Sequence, residues 1–316
     1  MEPNDDLPNV HAPFSAAEAK QLGLTSEQLR GKGFVQVSQG IHRPTDWDFD
    51  FTEAARALSA QSPGAWISHV SAARIHGLVL PPWLSDSAEL HLSKPRMLPE
   101  VRRTGITGHN VLACPDEVEQ VGDLWISTRA RTWLDMARIL PLPDLVCMGD
   151  QLVRMPRPEF EDRSTAFATL NGLWKLVGRH SNLQGIVRAR EALGLMRVGS
   201  DSSPETLLRL AMLDAGLPEP ELQISLWDRQ GAPSADAGYR GRRIALQYDG
   251  AHHLEELQRH RDRRRNKAFQ DAGWTVLVFT QEDYADGFKE AVLRIRDALK
   301  QPLKDPAITS GFASGG

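Results

Sequence analysis

The chain is expected to be of mixed α/β (α+β) class and built from several parts, on three observations. Strand-sized apolar runs alternate with amphipathic helical stretches along most of its length. Gly, Pro and charge clusters punctuate it near residues 45, 156 and 200. Over 201–300 the order reads helix, three short strands, helix, strand. At 316 residues, 41% hydrophobic and 25% charged, the composition is ordinary for a globular protein, with length for two or three domains.

Residues 1–13 read as a flexible leader. Over 14–45, Ser15-Ala-Ala-Glu18 is a capping box opening a helix that stops at Gly23, and a second helix over Thr25–Arg30 stops at Gly31-Lys32-Gly33. Phe34–Val37, a Ser38-Gln39-Gly40 turn and Ile41–Arg43 form a hairpin. Two helices across a tight turn followed by a two-stranded wing is the layout of a winged helix-turn-helix, whose second helix usually enters the major groove of DNA. Its cations Arg30, Lys32 and Arg43 are the expected nucleic-acid contacts, and a protein-docking role is the alternative.

Residues 50–155 form the middle α/β region. Helices are expected over Phe51–Ala60, Ser68–His76 (closed by Gly77), Arg129–Leu140 and Asp144–Met155, with strands at Glu89–Leu92, Gly108–Leu112 and Leu124–Ile126. His69 and His76 fall seven apart on one helical face. No acid at ligand spacing accompanies them, so hydrogen-bonded helix histidines are expected rather than a metal pair. Residues 156–200 read as a helical connector with a basic face.

The first half resembles the AbiEi-type antitoxin family. The residues that carry the resemblance are Phe14–Ala19, Gly40–Arg43, Ile67–Leu78 and Ser127–Asp135. It implies a winged helix followed by an α/β domain, DNA binding and transcriptional control. A toxin-like protein partner is possible on that resemblance and is not required by it.

The densest chemistry lies in 201–300. Ser202-Ser-Pro-Glu205 opens a helix to Asp214, strands follow at Gln223–Trp227, Ala235–Tyr239 and Ile244–Asp249, then a basic helix Leu257–Ala272, a strand Thr275–Phe279 and a helix Phe288–Leu299. Residues 301–316 read as a loose tail. Strand alternation puts Gln247 and Asp249 on one face, and if their strand pairs with the one carrying Asp236, the two acids approach one point. Two carboxylates, an amide oxygen and water suit Mg²⁺ or Mn²⁺. His253 can shuttle protons. Six cations lie within Arg259–Lys267, and Arg263, Arg264 and Arg265 are the expected phosphate contacts.

This region resembles the Vsr-like (very-short-patch-repair-like) endonucleases of the restriction-endonuclease-like PD-(D/E)XK superfamily. Asp236 falls on the metal-binding aspartate, Gln247 where many relatives have glutamate, Asp249-Gly250 in place of the lysine position, and His253 on the histidine after that glycine. Asp262, Arg265, Phe269 and Gly273-Trp274 match the signature of the following helix and strand, and Glu205 matches an acid on the first helix. The resemblance implies catalytic roles for Asp236, Gln247, Asp249, His253 and Glu205, with metal on Asp236 and Asp249. Glu205 is equally readable as the acid of the Ser202 cap, and Asp262 as an ion-pair partner. Glutamine is neutral and a weaker Mg²⁺ ligand than a carboxylate, so a catalytically silent nuclease fold serving a regulator is the alternative.

Bulk properties bound the rest. A net charge of −4 argues against a uniformly basic DNA-coating protein while allowing basic faces. Two cysteines are too few for a disulfide framework or a cysteine zinc site, the acidic N-terminus has no apolar signal core, and no apolar run is of membrane length. A cytoplasmic location is expected.

Overall fold

A computed structural model describes residues 10–46, 48, 50–85, 87, 89–157, 161–229, 231–250 and 256–302, side chains of 256–261 excepted. The chain forms two compact units, one from 1–140 with 172–189 and the other from 141–171 with 190–316. The stretch expected as a separate connector is therefore shared between them.

The first unit begins with β1 (Phe14–Ser15), α1 (Ala16–Gln21), α2 (Ser26–Arg30), β2 (Phe34–Ser38) and β3 (Ile41–Pro44). Both helices are closed at their N-termini by reciprocal capping boxes, Ser15 with Glu18 and Thr25 with Gln28. Each box satisfies backbone donors that a five- or six-residue helix cannot satisfy internally. The strands form one antiparallel sheet in the order β1-β3-β2, and Phe14, Ala19, Leu24 and Phe34 are buried together beneath it. The two-residue β1 was not legible as a strand in the sequence, and it pairs across to Ile41 and His42.

The rest of this unit is α3 (Phe51–Ala60), β4 (Trp66–Ile67), α4 (His69–Ile75), α5 (Pro82–Ser85), β5 (Leu90–Pro95), β6 (Ile106–Val111), β7 (Val118–Val121), β8 (Leu124–Ser127) and α6 (Arg129–Met136). Its strands make a five-stranded mixed sheet in the order β6-β5-β4-β8-β7. Ala55, Ile67, Ala72, Leu90, Leu92 and Ile126 fill the core. His76 caps α4 and its Nε2 lies 2.7 Å from the carbonyl oxygen of Ser127, so its ring is committed to structure.

The second unit opens with α7 (Leu142–Val153), and two helices, α8 (Leu170–Arg179) and α9 (Ile186–Leu195), carry the chain between units. It continues with α10 (Ser203–Asp214), β9 (Glu221–Ser225), β10 (Ser234–Tyr239), β11 (Ile244–Asp249), α11 (Glu256–Asp271), β12 (Thr275–Thr280), α12 (Gln281–Ala285) and α13 (Lys289–Lys300). The sheet order is β12-β11-β10-β9, with β9-β10-β11 an antiparallel meander and β11 parallel to β12 across α11. One face packs Ile244, Leu246 and Phe279 against Leu208 and Met212 of α10 and Ala291, Val292 and Ile295 of α13. The other face packs Ala235, Ala245 and Ile224 against Phe269 of α11. Both faces are thus covered, as a sheet with a parallel crossover requires.

One buried network fixes α7 and α10 together. Asp150 Oδ2 accepts from Arg209 Nη2 at 3.0 Å and from Thr206 Oγ1 at 2.9 Å, all within a buried region. Elsewhere on α7, Gly149 lies against the side chain of Met196, just beyond α9, where an added Cβ would fall 2.4 Å from the sulfur and force that side chain to shift. Among the described residues no helix is long and apolar enough to cross a membrane.

Candidate active site

At the C-terminal end of β11 the second unit opens into a cleft of about 360 Å³, lined among others by Glu205, Asp236, Gln247, Asp249, Asp262 and Arg265. The sheet register makes this convergence. Ala237 pairs with Leu246 and Gly238 with Ala245, so Asp236 and Gln247 each lie one residue beyond the last paired position. Gly238 permits the close crossing, since a Cβ there would sit 2.2 Å from the Ile244 carbonyl oxygen. On the neighbouring β9, Gln223 takes a left-handed φ of 50°, a local irregularity where the recorded β9–β10 pairing skips a step.

Asp236 accepts a hydrogen bond from the backbone N–H of Tyr248 at 2.8 Å. Burial pushes its carboxyl up, opposed by that bond and by Arg265 and Arg157. Glu205 serves two purposes at once. Its Oε1 accepts from the Ser202 hydroxyl at 2.8 Å and its Oε2 from the Asp201 N–H at 2.9 Å, which closes the first turn of α10. It also faces the cleft, where burial and then the Asp236 charge push its pKa up to about 8. Two carboxylates so placed favour either a shared proton or a cation between them.

Gln247 is 1% exposed, and neither its Oε1 nor its Nε2 has a partner among the described residues. A buried amide left so costs roughly 1–3 kcal/mol for each unsatisfied group, so such an atom calls for a water or an ion. Asp249 ends β11, lines the same cleft and is exposed. His253 lies outside the described residues.

Of the cations expected on α11, Arg265 turns into the cleft and pairs with Asp262 at 3.2 Å, while Arg263 and Arg264 are exposed. Asp262 is thus an ion-pair partner that also borders the cleft. The sequence did not point to the opposite wall. There Arg154 Nη1 meets Glu161 Oε1 at 2.6 Å, and Arg157 pairs with Asp201, whose Oδ2 also accepts from Gln223 Nε2 at 3.0 Å. Only the adjacency of Asp201 to the Ser202 cap could have flagged it, because Arg154 and Arg157 sit at the Pro-bounded end of α7 with no motif spacing.

In the first unit, Lys32 is exposed, and Arg30 Nε donates to the Ser26 carbonyl at 3.0 Å on an exposed surface. Arg43 Nη1 donates to the Pro44 carbonyl at 3.0 Å. Among the described residues, one trio of His, Cys, Asp or Glu brings ligand atoms within 4.8 Å of one another: Cys114, Glu117 and His180, also in the first unit. Its carboxylate is already engaged by Arg131 at 2.6 Å, His180 at 2.7 Å and Arg179 at 3.2 Å, an ion-paired knot rather than open ligands.

No family model matches the chain. Over 261 residues it is 26% identical to an uncharacterized protein of Mycobacterium tuberculosis strain CDC 1551 / Oshkosh. The same holds for an uncharacterized protein of strain ATCC 25618 / H37Rv, and the match covers 81% of this chain and 89% of each relative.

Proposed function

We propose that the second unit is a Vsr-like, PD-(D/E)XK-type site for divalent-metal-dependent hydrolysis of DNA phosphodiesters, joined to an AbiEi-like half in which the winged-helix segment contacts duplex DNA. The observation that carries this reading is the convergence of Asp236, Glu205, Asp249 and the unpartnered Gln247 amide on one cleft beside Arg265. The donor set is all oxygen apart from one amide nitrogen, which fits Mg²⁺ or Mn²⁺. Asp236 and Asp249 would hold the ion, with Gln247 Oε1 and Glu205 as further oxygen donors. When bound, such an ion lowers the pKa of a ligated water and neutralises phosphate charge.

The protein's own groups do the remainder. Arg265, with Arg157 across the cleft, offers planar donor forks to non-bridging phosphate oxygens. Asp262 and Asp201 hold those guanidiniums in place. In the metal-free cleft Glu205, with its pKa near 8, holds a proton at neutral pH that an arriving ion would displace. His253 follows the strand end in sequence and is proposed to shuttle protons.

The purified protein on supercoiled and linear DNA, with Mg²⁺, Mn²⁺ or EDTA, tests the reading. Cleavage should require the ion and vanish in Asp236→Asn and Asp249→Asn variants that retain the wild-type melt. Cleavage that persists in Asp236→Asn after contaminant controls rules the site out. The neutrality of Gln247 favours a second reading, a DNA-binding regulator whose nuclease fold is silent. No cleavage of any substrate by wild type or Gln247→Glu, even with Mn²⁺, would select it.

A further inference from the structure

The first unit holds a second polar cleft that the proposed nuclease site does not use. It has a volume of about 540 Å³, within the range of small-molecule sites, and is lined by His69, Arg96, His109, Asp135, Arg138 and Arg179 among others. Two histidine rings, His69 and His109, stack along it, with the buried His91 behind them. His69 and His109 have centroids 3.7 Å apart, and His91 Nδ1 lies 3.0 Å from His109 Nε2. His69 spends Nδ1 on the Ser68 hydroxyl at 2.9 Å, which leaves its Nε2, and the Nδ1 of His109, for a ligand.

Two further observations mark this as a built site. Asp135 is 4% exposed, with Oδ1 bound to Arg131 Nε at 2.9 Å, while Oδ2 has no partner among the described residues. A buried carboxylate oxygen that lines a cleft without a donor is set to accept one from a ligand. His69 also holds a left-handed φ of 51°, a backbone cost that persists only where the surroundings impose it. Burial, then the neighbouring His91 and after it Arg131 and Arg138, hold the His69 pKa at about 3, so the stack offers neutral N–H donors and ring faces. At the rim, the guanidiniums of Arg96 and Arg138 are exposed and make no hydrogen bond or ion pair among the described residues.

We infer that this cleft binds a small phosphate-bearing ligand that also presents an N–H donor, the chemistry of a nucleoside monophosphate. Arg96 and Arg138 take the phosphate, Asp135 Oδ2 accepts from the base edge, and the histidine stack supplies an aromatic face and N–H donors. Each guanidinium fork on a phosphate is worth about tenfold or more in affinity.

Isothermal titration of the full chain with AMP, GMP, CMP, UMP, inorganic phosphate and the parent nucleosides tests this. At least one nucleotide should bind about tenfold or more tightly than inorganic phosphate and than its own nucleoside. The Arg96→Ala/Arg138→Ala variant, at exposed positions, should keep the wild-type melt and weaken that nucleotide at least about tenfold. Asp135→Asn should weaken the nucleotide more than inorganic phosphate if it folds, and the rim variant decides the matter if it does not. Failure of all four nucleotides to bind overturns the inference, as does equal binding by the rim variant. So does binding confined to a 5′-phosphorylated oligonucleotide titrated alongside them. Because Asp236 lies outside this cleft, Asp236→Asn should bind the nucleotide as the wild type does, which separates this result from that of the nuclease test.

Discussion

Glu205 sets how the Asp236 cleft responds to pH and, on the function proposed above, to metal. Its folded-state pKa of about 8 lies above the ordinary 4.5, so the folded chain holds more protons than the unfolded chain between those values. That stabilisation is full below the unfolded pKa and is lost as pH rises through about 8. In EDTA the melting temperature should therefore fall from about pH 5 to about pH 8, and Glu205→Gln should flatten the fall. A slope unchanged by Glu205→Gln would show that other groups carry it. Adding Mn²⁺ at the upper end should restore the melting temperature, because an ion replaces the lost proton. Gln247→Glu places a third acid beside Asp236. It should lower stability in EDTA by about 1–3 kcal/mol and lower the Mn²⁺ concentration needed for binding, both readable by melting with a metal titration. Asp236, Gln247 and Asp249 were legible in the sequence because strand alternation and the Asp-Gly strand end are local patterns. Arg157 and Asp201 were not, because they reach the cleft from segments with no motif of their own.

Helix α11 divides its cations between two environments, and its variants should divide too. Arg263→Ala/Arg264→Ala, at exposed positions, should weaken DNA binding alike for all sequences and reduce the salt slope by up to about 2. Arg265→Ala, which strips a cation from the cleft, should instead lower cleavage more than binding. Loss of binding at one DNA sequence only in the first variant would mean that α11 reads bases. In the N-terminal segment, charge reversal at Arg30, Lys32 and Arg43 should weaken duplex binding and flatten its salt dependence. An unchanged affinity and slope would assign that segment to protein docking. Elements with a cap or a glycine stop, such as α1, α2 and α10, could be read from the sequence because those signals are local. Short strands escaped it. β4 and β1 are two residues long and exist only through partners far away in sequence, and β7 was hidden by the polar Val118-Glu-Gln-Val121.

For the molecule as a whole, the span 201–300 read as a self-contained domain, yet its core reaches back to α7. Asp150 neutralises Arg209, which is 1% exposed, across 59 positions of sequence that no local pattern connects. Asp150→Ala should cost about 3–5 kcal/mol in urea unfolding, because it strands a buried charge. A fragment of 201–302 should fail to give a cooperative melt while one of 141–302 does better, and a stable, cooperative shorter fragment would refute the dependence. The chain passes from one unit to the other three times, at about 140, 171 and 189. Neither unit is therefore a contiguous cassette. A recombination event with a single crossover, anywhere in the gene, could not transplant one unit without splitting the other, so exchanging a unit cleanly requires replacing several segments together. The two units are thus held to a shared inheritance by how the chain is threaded, whatever each of them binds.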